Sequence, residues 1–262
     1  MAKLFDTHAH YTDESFLGKE ELIRDIFSGD VGHIITVAVD AADSEKCVTL
    51  ASQYENMFAS VGIHPSEITE ISDIPAEVAK LERHIAHNKC VALGEMGLDY
   101  YWAKAYAAEQ KKLFEHQLAL AAEADLPVII HDREAHGDTF DIIKRYEGKV
   151  NGVMHCYSGH AELAREYVKM GWYISFTGVI TYKNAVKTVE SAQAVPLDRI
   201  LIETDCPYLT PVPMRKKKNH SGFLHYTAEF TAGALGVDYE TFANATTENA
   251  LRFFEKKLGK KF

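Results

Sequence analysis

Eight times along its 262 residues, the chain repeats a short, apolar, β-branched run followed by a longer amphipathic segment. The runs are 3–6 (KLFD), 33–39 (HIITVAV), 57–63 (MFASVGI), 90–94 (CVALG), 127–130 (PVII), 150–154 (VNGVM), 172–176 (WYISF) and 199–203 (RILIE). Near-continuous apolar strands of this length are what a parallel sheet covered on both faces requires. The intervening segments 14–28, 44–55, 76–88, 107–124, 134–146, 161–170 and 183–193 carry helical spacing, as do 226–235 and 239–257 after the eighth run. Leu113, Phe114, Leu118, Leu120 and Ala121, for example, fall roughly on one face of 107–124. Eight alternations predict an α/β fold, a single (β/α)8 TIM barrel occupying residues 1–262 as one domain. An open doubly wound sheet would bring a glycine-rich phosphate loop after its first strand, where this chain reads DTHAH.

An apolar fraction of 47% is enough for one sizeable core, and no stretch reaches the roughly 18 apolar residues of a membrane span. Cys47, Cys90, Cys156 and Cys206 are scattered, with no CxxC pair, and MAKLFDTHAH has no charged leader before an apolar run. Reduced thiols in a cytoplasmic protein, with no membrane role and no obligate protein partner, are the expectation. A net charge of −10 argues against a surface that coats nucleic acid in general. It leaves room for a nucleic-acid substrate held by a local cationic field, for which Arg215-Lys216-Lys217-Lys218 is the candidate.

Barrel enzymes build their sites from the C-terminal ends of the strands and the loops that follow. At those ends this chain places His8 and His10, Asp40, His64, Glu95, His131, His155, Thr177 and Asp205 in turn. Residues two apart on a strand share a face, so His8 and His10 can grip one ion, with Asp6 accepting a supporting hydrogen bond behind them. Glu95 can bridge two cations with its two oxygens, which no imidazole can do. His131 and His155 end neighbouring runs and suit one ion. Asp205 can touch a metal and take a proton from a water, with Glu203 supporting from deeper in the barrel. His33, His84, His87, His116, His136 and His160 are expected on surfaces or in packing. Cys156 and Cys206 should turn away from the metals, and Trp172 and Tyr173 should fill the barrel. Tyr100, Tyr101 and Trp102 could stack on bases or cap the barrel.

The stretches DTHAH (6–10), GIHP (62–65), GEMGLDYYW (94–102), LPVIIHDREA (126–135), HCYSG (155–159), ISFTGVITYKNA (174–185), ETDCPYLTPVP (203–213) and TTEN (246–249), in this order, resemble the TatD-type metal-dependent deoxyribonucleases. These belong to the amidohydrolase-like TIM-barrel hydrolases, and the resemblance spans nearly the whole chain. It implies metal ligation by His8, His10, Glu95, His131, His155 and Asp205, with Asp205 as catalytic acid/base and His64 near the substrate phosphate. It also implies hydrolysis of DNA phosphodiester bonds in the manner of a 3′-exonuclease, on single strands or 3′ ends. Family members typically carry a segment close to Arg-Gly-Lys-Arg-Asn-Glu-Pro, implicated in substrate contact, where this chain reads Arg215 to Ser221 as RKKKNHS. Arg215 and Asn219 match as substrate-binding candidates; the glycine, glutamate and proline do not. Two divalent ions are expected. The histidine-rich ligand set suits Zn, Mn, Co or Ni by ligand softness, whereas family members are often described with Mg. The alternative function is hydrolysis of small amides, lactones or phosphoesters on the same site. A non-enzymatic binding role would leave this ligand set without a purpose.

Overall fold

The computed structural model describes the backbone of residues 3–258 and the side chains of residues 3–254. Eight strands follow one another in one sheet: β1 (Leu4–Ala9), β2 (Val31–Val37), β3 (Met57–Val61), β4 (Cys90–Asp99), β5 (Val128–Arg133), β6 (Gly152–Met154), β7 (Tyr173–Phe176) and β8 (Ile200–Ile202). Pairing is parallel between β1 and β2, from β3 through β6, and between β7 and β8. Just past β8, Cys206 forms a parallel bridge with Ala9 of β1, which joins the last strand's extension to the first. Helices separate successive strands, so the chain has the (β/α)8 barrel topology. No described helix is long and apolar enough to cross a membrane.

Local sequence explains where the elements depart from the periodic pattern. The helical spacing over 14–28 breaks into a 3-10 turn, Glu14–Phe16, and a helix, Glu20–Ser28, with Gly18 at φ 69° between them. Segment 76–88 likewise becomes two short helices, Ile74–Ala79 and Glu82–Ile85, the first opened by the Asp73 side chain accepting from the Ala76 amide. The fourth strand runs five residues beyond its apolar run, because Met96–Asp99 continue to pair with Ile130–Arg133. That extension requires glycine at position 97, where φ is 144° and a Cβ would lie 2.0 Å from the His131 carbonyl oxygen.

Packing divides the chain into two units, one of residues up to Thr36 with Cys156 onward, the other Val37–His155. In the first, Phe5 packs against Phe254, Trp172 against Tyr167 and Tyr173 against Phe253, with ring centroids 4.9–6.1 Å apart. Trp172 and Tyr173 are therefore buried as expected but face the helical layer, not the barrel interior.

In the second unit, the helix Ala107–Ala124 supplies Leu113, Phe114, Leu118 and Ala121 to the core. Two glutamines on the same face are equally buried. The Gln117 side chain accepts from the Ile63 amide at 2.8 Å and donates to the Ile63 carbonyl at 2.9 Å. Seven residues earlier, Gln110 accepts from the Asp99 amide at 2.8 Å and donates to the Asp99 carbonyl at 3.0 Å and the Ala103 carbonyl at 2.8 Å. Seven residues are close to two helical turns, so one helix clamps the chain just past β3 and at the end of β4. Both clamps satisfy backbone groups that leave the sheet ladder while still buried.

Replacing Gln117 by Leu keeps the volume but orphans both peptide groups of Ile63, at roughly 1–3 kcal/mol each before relaxation. We expect a loss of about 3 kcal/mol in urea unfolding, whereas exchange of the exposed Lys112 on the same helix leaves the midpoint unchanged.

Candidate metal site

The HxH pair lies on and just after β1, and its imidazoles converge as strand geometry requires. His8 Nε2 and His10 Nε2 are 3.2 Å apart, and Asp205 Oδ1 lies 3.7 Å from the first and 3.2 Å from the second. Asp205 is brought there by a hydrogen bond from its own amide to the His8 carbonyl at 2.9 Å and by a left-handed backbone, φ 56°. A non-glycine residue in that region carries a conformational cost that surrounding structure must hold in place. Donors about 2.0–2.2 Å from one ion lie roughly 3.0–3.6 Å from each other, so the two 3.2 Å separations fit a single coordination sphere and the third lies just outside that range. Their chemistry, two imidazoles and a carboxylate, suits a divalent cation.

Asp6, behind the pair, is buried and accepts from the Thr204 amide at 2.9 Å, the Thr204 hydroxyl at 2.6 Å and the His8 amide at 3.4 Å. Burial pushes its carboxyl up to about 6, against the hydrogen bonds from Ser221, Thr204 and His8 that favour the charged form. It thus ties β1 to the segment carrying Asp205. Glu203 works alongside it, accepting from the Cys156 amide and the Ser175 hydroxyl, both at 2.7 Å. The backbone of Cys156 is also left-handed, φ 42°, so strand alternation does not govern where its thiol points. Cys206 is fully buried, and burial pushes its thiol far above the ordinary range.

In the other unit, Glu95 Oε1 is the shared acceptor. His131 Nδ1 lies 2.7 Å from it, His155 Nε2 2.8 Å and His64 Nε2 3.8 Å, and His64, Glu95 and His131 form a cluster able to hold an ion. The other nitrogen of His131 reaches Asp99 Oδ2 at 3.1 Å. Burial alone would lower the pKa of His131, but the hydrogen bonds with Asp99 and Glu95 outweigh it and raise it. Burial opposes charge on Asp99 in turn, and His131 and the Trp102 amide overcome that and hold its carboxyl below the usual range. A carboxylate holding one imidazole nitrogen while the other faces a cation is a recurrent way to orient a metal-binding histidine. Asp99 was not among the sequence candidates, although it lies four residues beyond Glu95, on the same face of an extended strand.

His64 differs from the other histidines of the two clusters. Its Nδ1 accepts from the Ser66 amide at 3.1 Å, capping the turn Pro65–Glu70, which places the proton of the neutral ring on Nε2. A donating Nε2 suits an anionic oxygen better than a cation. Asp40 and Thr177 have structural work, Asp40 capping the helix Ala41–Ala51 and Thr177 capping the turn Gly178–Thr181. Among the remaining histidines, His84 is buried, His136 pairs with Asp132 at 2.8 Å and His160 caps the helix Ala161–Lys169.

The basic segment 215–218 is exposed. Arg215 stacks over the Tyr182 ring at 4.0 Å and donates to the Tyr182 hydroxyl and, at 3.3 Å, to the Thr210 carbonyl. Asn219 is fully buried, and its amide donates to the Thr204 carbonyl at 2.9 Å and the Tyr208 carbonyl at 2.5 Å while its oxygen accepts from the His220 amide. Asn219 therefore shapes the segment that follows Arg215.

Residues 5–255 match the model of the family described as TatD related DNase. The chain belongs to this family. It is 42% identical to the metal-dependent hydrolase YabD of Bacillus subtilis, over 96% of this chain and 98% of that one. It is 36% identical to the metal-dependent hydrolase YcfH of Escherichia coli K12, over 96% and 95% of the two chains. Among solved structures, the TatD homologue YjjV of Escherichia coli K12 superposes with a TM-score of 0.90 at 29% identity, covering 96% of this chain and 98% of its own. Family and fold together make this chain a metal-dependent hydrolase on a TIM barrel, with histidine and carboxylate clusters that fit divalent metal binding.

Replacing Glu203 by Ala removes the acceptor of the part-buried Cys156 amide and the buried Ser175 hydroxyl. A buried hydrogen bond to a charged acceptor contributes about 1.5–3 kcal/mol. The expected result is a stability loss of at least ~2 kcal/mol in denaturant titration; an unchanged midpoint would remove Glu203 from this bracing role.

Proposed function

We propose that this chain hydrolyses phosphodiester bonds of DNA from 3′ ends, using divalent ions held by His8, His10 and Asp205 and by Glu95, His131 and His155. The observation that carries the proposal is the convergence of His8 Nε2, His10 Nε2 and Asp205 Oδ1 within 3.2–3.7 Å of one another at the strand end where barrels of this class do their chemistry. Glu95 would be a ligand in its own unit, since its Oε1 already accepts from two imidazoles. Ions bound there would supply Lewis acidity toward a phosphoryl oxygen and acidify a water.

The side chains divide the remaining work. Asp205 takes the proton of the attacking water, as its partly open carboxylate and constrained backbone suit it to do. His64 donates from Nε2 to a phosphate oxygen. Arg215, stiffened by its stacking on Tyr182, steers the polyanion, with Lys216–Lys218 adding to the field. The family description favours DNA as substrate. The segment at 216–221, which departs from the usual family pattern, leaves small phosphoesters, amides and lactones as the competing substrates.

Two measurements test this reading. Removing metal with a chelator and adding back Mn or Zn should raise the unfolding midpoint of the wild type, since a ligand at 100 times its Kd stabilises by about 2.7 kcal/mol. His8→Ala should abolish most of that rise. In a metal-dependent assay on single-stranded DNA, RNA and small phosphoesters, Asp205→Ala should lower kcat by about 10²–10⁴ on the preferred substrate. Wild type that cleaves only small esters or amides with every metal would overturn the DNA assignment, and undiminished activity in Asp205→Ala would remove the acid/base role.

A further inference from the structure

Beyond the metal ligands, the end of β4 and the end of β5 carry three side chains that the proposed chemistry leaves unused. Tyr101 and Trp102 stand on the loop after β4 with 51% and 69% of their surfaces in water. Arg133, the last residue of β5, places its guanidinium 4.1 Å from the Tyr101 ring centroid and 5.6 Å from that of Trp102. The two rings meet edge to face at 89°, 4.7 Å apart, and Trp102 still keeps most of its surface in water. Among the described residues Arg133 has no carboxylate within ion-pair distance, so its charge is uncommitted.

This cluster is held in place from below. Asp99 Oδ1 accepts the amides of Tyr101 at 2.9 Å and Trp102 at 2.8 Å, while Oδ2 of the same carboxylate holds His131 Nε2. Gln110 fixes both the Asp99 backbone and the Ala103 carbonyl, and the Tyr100 hydroxyl anchors the loop to Asp138 at 2.6 Å. Arg133 lies two residues beyond His131 on one strand, so the two share a face. Tyr100 is thus consumed by the fold, whereas Tyr101 and Trp102 are displayed. A ring pair serving only as a cap would be driven to bury its apolar area; this one is pinned by its backbone with more than half of each residue's surface in water.

We propose that Tyr101, Trp102 and Arg133 form a nucleotide subsite of single-stranded DNA, the indole stacking on one base and the guanidinium meeting an adjacent phosphate. The proposal rests on the nuclease reading above and names how that substrate is held. Stacking on an aromatic side chain contributes about 1–3 kcal/mol per base and tolerates any base, which suits an enzyme that must accept every sequence. The guanidinium adds a bidentate donor for phosphate on a protein whose net charge of −10 otherwise repels the polyanion.

The chain supplies its own reporter, because its two tryptophans are Trp102, exposed, and Trp172, 1% exposed. With chelator present to prevent cleavage, a five-residue thymidylate oligonucleotide should quench intrinsic fluorescence saturably. An abasic deoxyribose-phosphate chain of the same length should bind about tenfold more weakly, as should the thymidylate on Arg133→Ala or Tyr101→Ala, each first shown to unfold at the wild-type midpoint. With metal, Trp102→Ala should raise KM about tenfold with kcat within twofold, and Trp102→Phe should restore KM. Absent quenching, equal binding of the abasic chain, or an unchanged Kd in Arg133→Ala would each overturn the subsite. DNA cleavage without quenching would sink the subsite and leave the nuclease reading standing; quenching without cleavage on any metal would do the reverse.

Discussion

A glutamate with 3% of its surface exposed cannot remain charged unless donors come to it, and much of the second unit is arranged around that demand at Glu95. The donors are His131 and His155, on β5 and just past β6. Bringing them to one oxygen fixes the register of three strands: Gly97 pairs with His131, and Ile130 with Met154. The requirement reaches the backbone, because the close approach of β4 to β5 leaves no space for a side chain at position 97. His131 then needs its second nitrogen satisfied, and Asp99 does so while organising the loop beyond it. One buried charge thus propagates through an imidazole to a second carboxylate and out to the surface.

The first unit meets the same electrostatic constraint differently. There the carboxylates Asp6 and Glu203 lie below the proposed ligands and are satisfied by backbone amides and hydroxyls, with Thr204, Cys156 and Ser175 as donors. Asp205 sits above them in a left-handed turn that breaks out of the strand and aims its carboxylate at the two imidazoles of β1. Rigid polar bracing under a strained residue is how a site can keep a costly geometry without collapse.

What the sequence made legible follows from which signals are periodic. Buried parallel strands must be apolar on both faces, so eight runs stood out, and the residues that end them could be named from position alone: His8, Glu95 and His131 lie on strands, and His10 directly follows one. His155 and Asp205 lie one and three residues past short strands, where alternation no longer sets direction; their placement depends on turns that no period encodes. Asp99 escaped notice because the apolar run stopped at Gly94, while the strand continued on the strength of glycines and a partner strand. Gln110 and Gln117 escaped for the opposite reason, since polar residues on an amphipathic helix are ordinarily assigned to water. Asn219 is a substrate-binding candidate by resemblance, and its buried amide, donating to the Thr204 and Tyr208 carbonyls, is a detail no sequence period encodes.

The two glutamines of the helix Ala107–Ala124 also set how this part of the molecule can change over evolutionary time. Each added or deleted residue turns an α-helix by about 100° and shifts it by about 1.5 Å. A single insertion between Gln110 and Gln117 would leave at most one of them facing its peptide group, detaching either the start of the His64 turn or the base of the Tyr101–Trp102 loop. The outward residues of that stretch are free to drift in identity, but the spacing is not. Length, not composition, is the inherited quantity here, and a lineage altering this region is confined to substitutions on the helix and to insertions in the loops beyond its ends.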